Sequence, residues 1–368
     1  MNATAKSSRR AFARAAFCLL VLGSAMSCAW AQAGAPRVLR LGIGTAADST
    51  KGRAVQELDR RLSAYTNGSL RVELHADGKL GNDVSMTKAA SDGQLEMTAP
   101  DSSTLAAMDK RFSAINYPFT FNNNEEVDTI LDGPWGQQLL DGLSKHKLVG
   151  LAFWENGFRQ MTNSRRPMSV LGDFQGVRMR VMQNPMLEDS FAKLGFTAVP
   201  LPFTKVYEAM KSHHVDGQEN PLGTILSSRF YEVQPYLTLS RHVYSAHVVV
   251  VSQQVWQSLS PAHQDALRRA TRDARDFGRK ANRDSEVDAL TALKAKGMTV
   301  TSISRADGER IRYRLRDVFD KYNQEIGFAT MVDLYVRLGQ LRSESTAGSK
   351  PKPIDVAQRE PAPPKATK

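Results

Sequence analysis

The chain reads as an α/β protein of two lobes, with one long helix near its C-terminal end spanning both. Three observations point there. A strand, a helix and a strand open the chain, the same alternation restarts after Gly157, and a helical apolar stripe begins at Pro261 and runs for more than eight turns.

Val38 to Ile43 reads as the first strand. After Asp48 and Ser49, which suit helix caps, Val55, Leu58, Leu62 and Tyr65 recur three and four residues apart, as one helix face does. Asn67-Gly68 ends that helix, and Leu70, Val72 and Leu74 then alternate with Arg71, Glu73 and His75 in the period of a strand. A helix over 82–91 and a strand over 95–98 follow. The turn formers of Pro100 to Ser103 come next, where ligand-facing loops of open sheets lie. A helical stretch over 125–145 and a strand over 148–154 complete the first lobe.

In the second half the spacing predicts a strand over 177–181, a helix over 187–194, a strand over 198–201, a helix over 204–212 and a turn at Asp216-Gly217. Val243 to Val251 is apolar enough for a buried strand. Ser260-Pro261 supplies an N-cap and a proline at the first helical position. Leu267, Ala270, Ala274, Phe277 and Ala281 continue one stripe, so a single helix is expected from Pro261 to about Lys296, kinked where the stripe falters at 282–286. A strand over 298–303 and helices carrying Ile311, Leu315, Val318 and Phe319 close the ordered part. The expected limits are a leader over 1–31, a first lobe over 32–156 with about 246–285, a second lobe over 157–245 with about 286–341, and a disordered tail over 342–368, rich in Ser, Pro, Lys and Ala.

The leader has a basic head (Lys6, Arg9, Arg10, Arg14), an apolar run from about Ala15 to Met26, and Ala29-Trp30-Ala31 before Gln32, the pattern of a cleavable secretory signal. Ser8-Arg9-Arg10 leaves a twin-arginine route open beside the general one. Both cysteines, Cys18 and Cys28, lie in this leader, so the mature chain is expected to do without disulfides, thiolate chemistry and cysteine metal sites. The net charge is +11, of which four positive charges belong to the leader, leaving +7. Arginines 268, 269, 272 and 275 alternate with aspartates 265, 273 and 276, a solvated helix face rather than a nucleic-acid patch. A soluble monomer that binds no nucleic acid is expected.

Chemistry concentrates in three short segments: Gly157-Phe158-Arg159-Gln160, Gly176-Val177-Arg178-Met179-Arg180 and Asp216-Gly217-Gln218-Glu219-Asn220-Pro221. Two guanidiniums and an amide can hold a small carboxylate without changing it, because the planar arginine fork gives two parallel hydrogen bonds and stays charged. Arg178 and Arg180 share one side of a strand, and spacing alone does not choose between them. Each of these residues also has a structural reading, the arginines paired with acids and Asn220 capping a turn.

In that order and spacing the three segments resemble the solute-binding subunit of a tripartite ATP-independent periplasmic (TRAP) transporter, the DctP family, over about 38–341. The resemblance implies two hinge-linked lobes closing on one organic acid, a C4-dicarboxylate or a sugar acid, in the periplasm. It assigns a bidentate salt bridge to Arg180, a second cleft arginine to Arg159 and a cleft amide to Asn220. The small and large permease subunits would be the partners, or a membrane receptor if the protein is a ligand sensor. Asn184, Phe203 and Trp154 are further candidates for the ligand site, with Tyr207, Glu155, Asp101 and Ser102 behind them. Lys205 departs from the acid that the family often carries there.

No cofactor or metal is expected. His213 and His214 are adjacent and lack a third ligand at useful spacing. No Gly-x-Ser-x-Gly elbow, phosphate loop or His-Glu-x-x-His occurs, and Gly42-Ile43-Gly44 is only a fragment of a dinucleotide fingerprint, so an enzyme is not expected.

Overall fold

A computed structural model describes residues 35–348, with side chains to 344. The expected leader and the end of the expected tail lie outside the described residues.

The first sheet comprises β1 (Arg37–Gly42), β2 (Leu70–His75), β3 (Met97–Thr98), β4 (Leu148–Phe158) and β10 (Tyr244–Ser252), in the order β2-β1-β3-β10-β4. β1 runs parallel to β2 and β3, and β10 antiparallel to β3 and β4. β10 is buried along its whole length. Val248 and Val250 enter one core and Val249 and Val251 another, so the apolar run has no polar alternation to show. On the second of these cores lies α1 (Thr50–Tyr65), capped by the Ser49 side chain, with Val55, Leu58 and Leu62 packed beside Leu267, Ala270 and Ala274 of α10 (Pro261–Asp284).

The remaining first-lobe helices are α2 (Asp83–Ser91), α3 (Ser102–Leu105), α4 (Asn124–Asp132), α5 (Pro134–Gly142) and α9 (Gln253–Gln257). The stretch expected as one helix over 125–145 is two. Gly133 leaves the helix in extended conformation and Pro134 starts the next at its first position.

The second sheet has six strands in the order β11-β9-β5-β8-β6-β7. They are β5 (Gln160–Asn163), β6 (Arg178–Val181), β7 (Thr197–Pro200), β8 (Gly217–Asn220), β9 (Tyr236–Leu239) and β11 (Thr299–Ser302). Asp216-Gly217 is the entry to a strand, not a turn. A Cβ on Gly217 would sit 2.4 Å from the Thr162 carbonyl oxygen of β5, so only glycine lets the two strands approach. α6 (Pro185–Lys193), α7 (Val206–Lys211), α8 (Leu222–Ser227) and α11 (Glu286–Ala295) cover this sheet. α7, α8 and α11 share a core through Met210, Ile225 and Leu293.

Up to α11 the chain crosses between the lobes three times. β4 passes into β5 at Arg159, β9 returns to β10 through 240–243, and α10 passes into α11 at Ser285, within the expected kink. The first two crossings are tied by the Arg159 amide donating to the Val243 carbonyl (2.8 Å) and by the Arg241 guanidinium, 4.0 Å from the Phe158 ring centre.

α12 (Arg305–Arg314), α13 (Arg316–Ile326) and α14 (Phe328–Gly348) end the described chain. Two expectations need correction here. α14 lies against the first lobe, with the Trp135 indole donating to the Thr330 carbonyl and Arg342 paired with Glu126, so 328–341 do not belong with the second lobe. The helix also continues to Gly348, so residues 342–348 do not begin an irregular tail. α13 bridges the lobes: Phe319 stacks on Tyr117 of the first, and the Tyr322 hydroxyl donates to Asp189 of the second. Among the described residues no helix is long and apolar enough to cross a membrane.

Candidate functional site

A cleft between the lobes, with about 600 Å³ of space free of protein atoms and partly open to solvent, is lined by Arg180, Arg159, Asn220 and Phe203 from the second lobe and by Gly44, Lys51, Asp83, Asp101 and His247 from the first. That size suits a small organic molecule. Four of these first-lobe residues follow the C-terminal ends of parallel strands, Gly44 after β1, Lys51 in the first turn of α1, Asp83 in the first turn of α2 and Asp101 capping α3 after β3, while His247 projects from the antiparallel β10.

Arg180 comes from the strand β6 and is 3% exposed. Its Nε and Nη2 both donate to the Leu201 carbonyl, at 2.9 and 2.6 Å. No carboxylate lies within ion-pair distance of it among the described residues. A guanidinium has five N–H donors. Leu201 takes the side edge and holds the group in orientation, leaving the end-on edge, Nη1 with the second Nη2 hydrogen, for another acceptor. Burial lowers its pKa to about 10, with nearby Glu219 opposing, so it remains a cation at neutral pH. Arg178, two residues earlier, is 42% exposed and paired with Asp216 at 2.7 Å. The choice that spacing left open is thereby made by the end of the strand on which each residue sits.

Arg159 is differently committed. It is 1% exposed, its Nε and Nη2 grip the two oxygens of Glu219, and Nη1 donates to the Ser245 hydroxyl at 3.0 Å. Burial would raise Glu219, yet Arg159 and then His242 pull it down to about 2. The pair is a neutral buried unit at the lobe crossing, with one Arg159 N–H left over.

Asn220 lies opposite Gln160 in the β5–β8 register. Its Nδ2 donates to Gln218 Oε1 (2.6 Å), Gln218 donates to Thr162 (2.9 Å), and Thr162 donates to Gln234 (3.0 Å). This buried relay fixes the amide and leaves Oδ1 and one N–H uncommitted. Phe203 lies in a 3-10 turn (Phe203–Lys205) against Phe230, with part of its ring facing the cleft.

Five of the expected residues, Trp154, Asn184, Tyr207, Glu155 and Ser102, do not line the cleft. Trp154 is core: its indole donates to the Thr271 carbonyl of α10 at 3.0 Å and its ring packs between α10 and β4. Asn184 caps α6 by accepting from Met186 and Leu187, and its Nδ2 reaches across to the Ser103 carbonyl (3.3 Å) and the Ser113 hydroxyl (3.4 Å) of the other lobe. It joins the lobes instead of facing the space between them. The lobes also meet at the lip, where a Cβ on Gly78 would lie 2.8 Å from the Thr204 methyl. Tyr207 is bound to Glu232 and Glu155 to Arg283, both away from the cleft.

The first-lobe wall was hardly visible in the sequence, apart from Asp101. Lys51 donates to the Ala99 carbonyl (3.0 Å) and lies 3.4 Å from His247 Nδ1. Burial lowers the pKa of Lys51, opposed by Asp83 and Asp101, and burial holds His247 well below its ordinary value. Asp101 is raised by burial, with Arg159 opposing. These residues are scattered over 51, 83, 101 and 247, but three of them stand at or just before helix starts that follow strands. That position could have marked them.

A family model described as bacterial extracellular solute-binding protein, family 7 (DctP), matches residues 41–325. A sugar acid binding protein from Advenella mimigardefordensis, solved with galactonate, is 39% identical with a TM-score of 0.81, over 83% of this chain and 98% of that one. A TRAP periplasmic solute-binding protein from Polaromonas sp. JS666, solved with D-erythronate, is 30% identical with a TM-score of 0.78, over 81% and 98%. The 2,3-diketo-L-gulonate-binding periplasmic protein of Escherichia coli is 31% identical over 78% of this chain and 89% of its own length. The two-sheet, two-lobed α/β architecture is that of these structures, and the chain belongs to the DctP family of TRAP periplasmic solute-binding proteins, which are binding proteins and not enzymes.

Proposed function

We propose that the protein captures a small organic acid in the periplasm, with the acid's carboxylate bound by Arg180, and delivers it to the small and large membrane subunits of a TRAP permease. One observation carries this reading: a buried guanidinium, without an acidic partner among the described residues, keeps one bidentate edge free in an inter-lobe cleft. Burying a cation that has no carboxylate in direct contact is costly, and an anion supplied from outside would offset the cost. Arg159 and Asn220 would add single hydrogen bonds, and Phe203 would cover the carbon skeleton. The acids named for the relatives, galactonate, D-erythronate and 2,3-diketo-L-gulonate, all carry a carboxylate beside several oxygens. The secretory pattern of residues 1–31 and the relatives' periplasmic names support the location.

Isothermal titration of ligand-stripped mature protein with sugar acids, keto acids and C4-dicarboxylates tests this. At least one acid should bind at micromolar or lower Kd. Heat with neutral sugars alone, or with nothing in the panel, would count against carboxylate capture.

A further inference from the structure

We infer that the first-lobe wall of the cleft selects a polyhydroxy monocarboxylate over a dicarboxylate, with Asp101 as the residue that accepts a ligand hydroxyl and repels a second carboxylate. This rests on the reading of Arg180 as the carboxylate anchor and concerns the opposite end of the ligand.

Asp101 is 7% exposed and lines the cleft. Its Oδ1 accepts from the Ser103 amide (2.9 Å), whereas its Oδ2 is buried with no hydrogen-bond partner among the described residues. A buried acceptor without a donor is a cost that the fold carries unless something else supplies the donor. Asp83 cannot supply one, since its own Oδ2 accepts from the Asp101 amide at 3.1 Å. Lys51 is the one cation on this wall. Its ammonium is directed to the Ala99 carbonyl and His247 Nδ1, and it forms no ion pair at 4 Å or less among the described residues. Two carboxyl groups, Asp83 and Asp101, share this wall with a single ammonium, that of Lys51. Opposite it stands the cation of Arg180. The cleft is therefore polar end to end: an anion fits one side, and on the other a hydroxyl satisfies Asp101 while a carboxylate meets like charge. A site that hydrogen-bonds a hydroxyl rejects a ligand that cannot donate there, and like charges brought together in a desolvated cleft exclude the wrong partner.

The test is titration calorimetry on the mature protein at neutral pH with matched six-carbon pairs, galactonate against galactarate and gluconate against glucarate, together with succinate. Each pair differs only in whether the far terminus is an alcohol or a carboxylate. The wild type should bind the monoacid of the better pair at least tenfold more tightly than its diacid. Asp101→Asn keeps the helix cap, because its Oδ1 still accepts from Ser103, and turns an amide donor toward the cleft. It should narrow that ratio about tenfold or more. A diacid bound as tightly as its monoacid, succinate bound in preference to both monoacids, or a ratio unmoved by Asp101→Asn would overturn the inference while leaving Arg180 as the anchor. The wild-type ratio needs no variant, so a poorly folding Asp101→Asn would not rescue the idea. Failure of every acid to bind would remove the anchor reading itself, and this inference with it.

Discussion

At the scale of the residue, the two cleft arginines differ in what neutralises them. Arg159 is paired inside the protein and Arg180 is not, so removing them should have opposite effects on the unliganded protein. Arg159→Met leaves buried Glu219 without its guanidinium partner and with only His242 beside it, which costs about 3–5 kcal/mol, and should lower the melting temperature by several degrees. Arg180→Met removes a desolvated cation and should leave the melting temperature unchanged or raised; a fall as large as that of Arg159→Met would show Arg180 to be structural. Glu219 adds a pH signature. Its folded-state pKa, about 2, lies below the ordinary 4.5, so its contribution to stability is fully present above pH 4.5 and is lost as pH falls toward 2. The melting-temperature gap between wild type and Glu219→Gln should therefore narrow across that window, and a constant gap would contradict the pairing. In the sequence, Arg159, Arg180 and Asn220 stood out as a group, but spacing did not distinguish Arg180 from Arg178 and only the family resemblance chose between them. That difference depends on Asp216, thirty-odd positions downstream, folding back beside Arg178.

At the scale of the element, β6 and β8 present Arg180 and Asn220 from neighbouring strands, and α6 begins immediately beyond, with Asn184 linking its cap to the first lobe. Asn184→Ser should preserve the cap, since serine caps nearly as well, yet be too short to reach Ser103 and Ser113. Thermal stability should stay within about a degree while ligand affinity falls a few-fold, because only the lobe-joined state loses those bonds. Unchanged affinity would mean that the contact plays no part in closure. Long periodic elements were legible: α1, the first two strands, β10 and the cap of α10 lie within a residue or two of their sequence limits. The strands β5, β8 and β9 were not expected, whereas the equally short β6, β7 and β11 were; Gln-Met-Thr-Asn of β5 and Gly-Gln-Glu-Asn of β8 are too polar to show an apolar alternation. Asn184 and Trp154 were misplaced because a cap and a core indole carry the same residue types as a ligand site.

At the scale of the whole molecule, three crossings and the bridging helix α13 connect two sheets that are otherwise separate, and the cleft is the space left between them. The restart of the alternation after Gly157 revealed the two lobes, and the faltering stripe at 282–286 revealed where the long helix leaves one for the other. The seat of α14 on the first lobe was hidden, because an apolar helix face does not say which neighbour it will cover. The central claim is that the free edge of Arg180 binds the ligand carboxylate, and titration of Arg180→Lys with the best acid found for the wild type tests it most directly. Losing one bidentate, desolvated contact should cost about 2–5 kcal/mol, a loss in affinity of roughly thirtyfold to several thousandfold, with the fold intact by melting. Wild-type affinity in Arg180→Lys would contradict it.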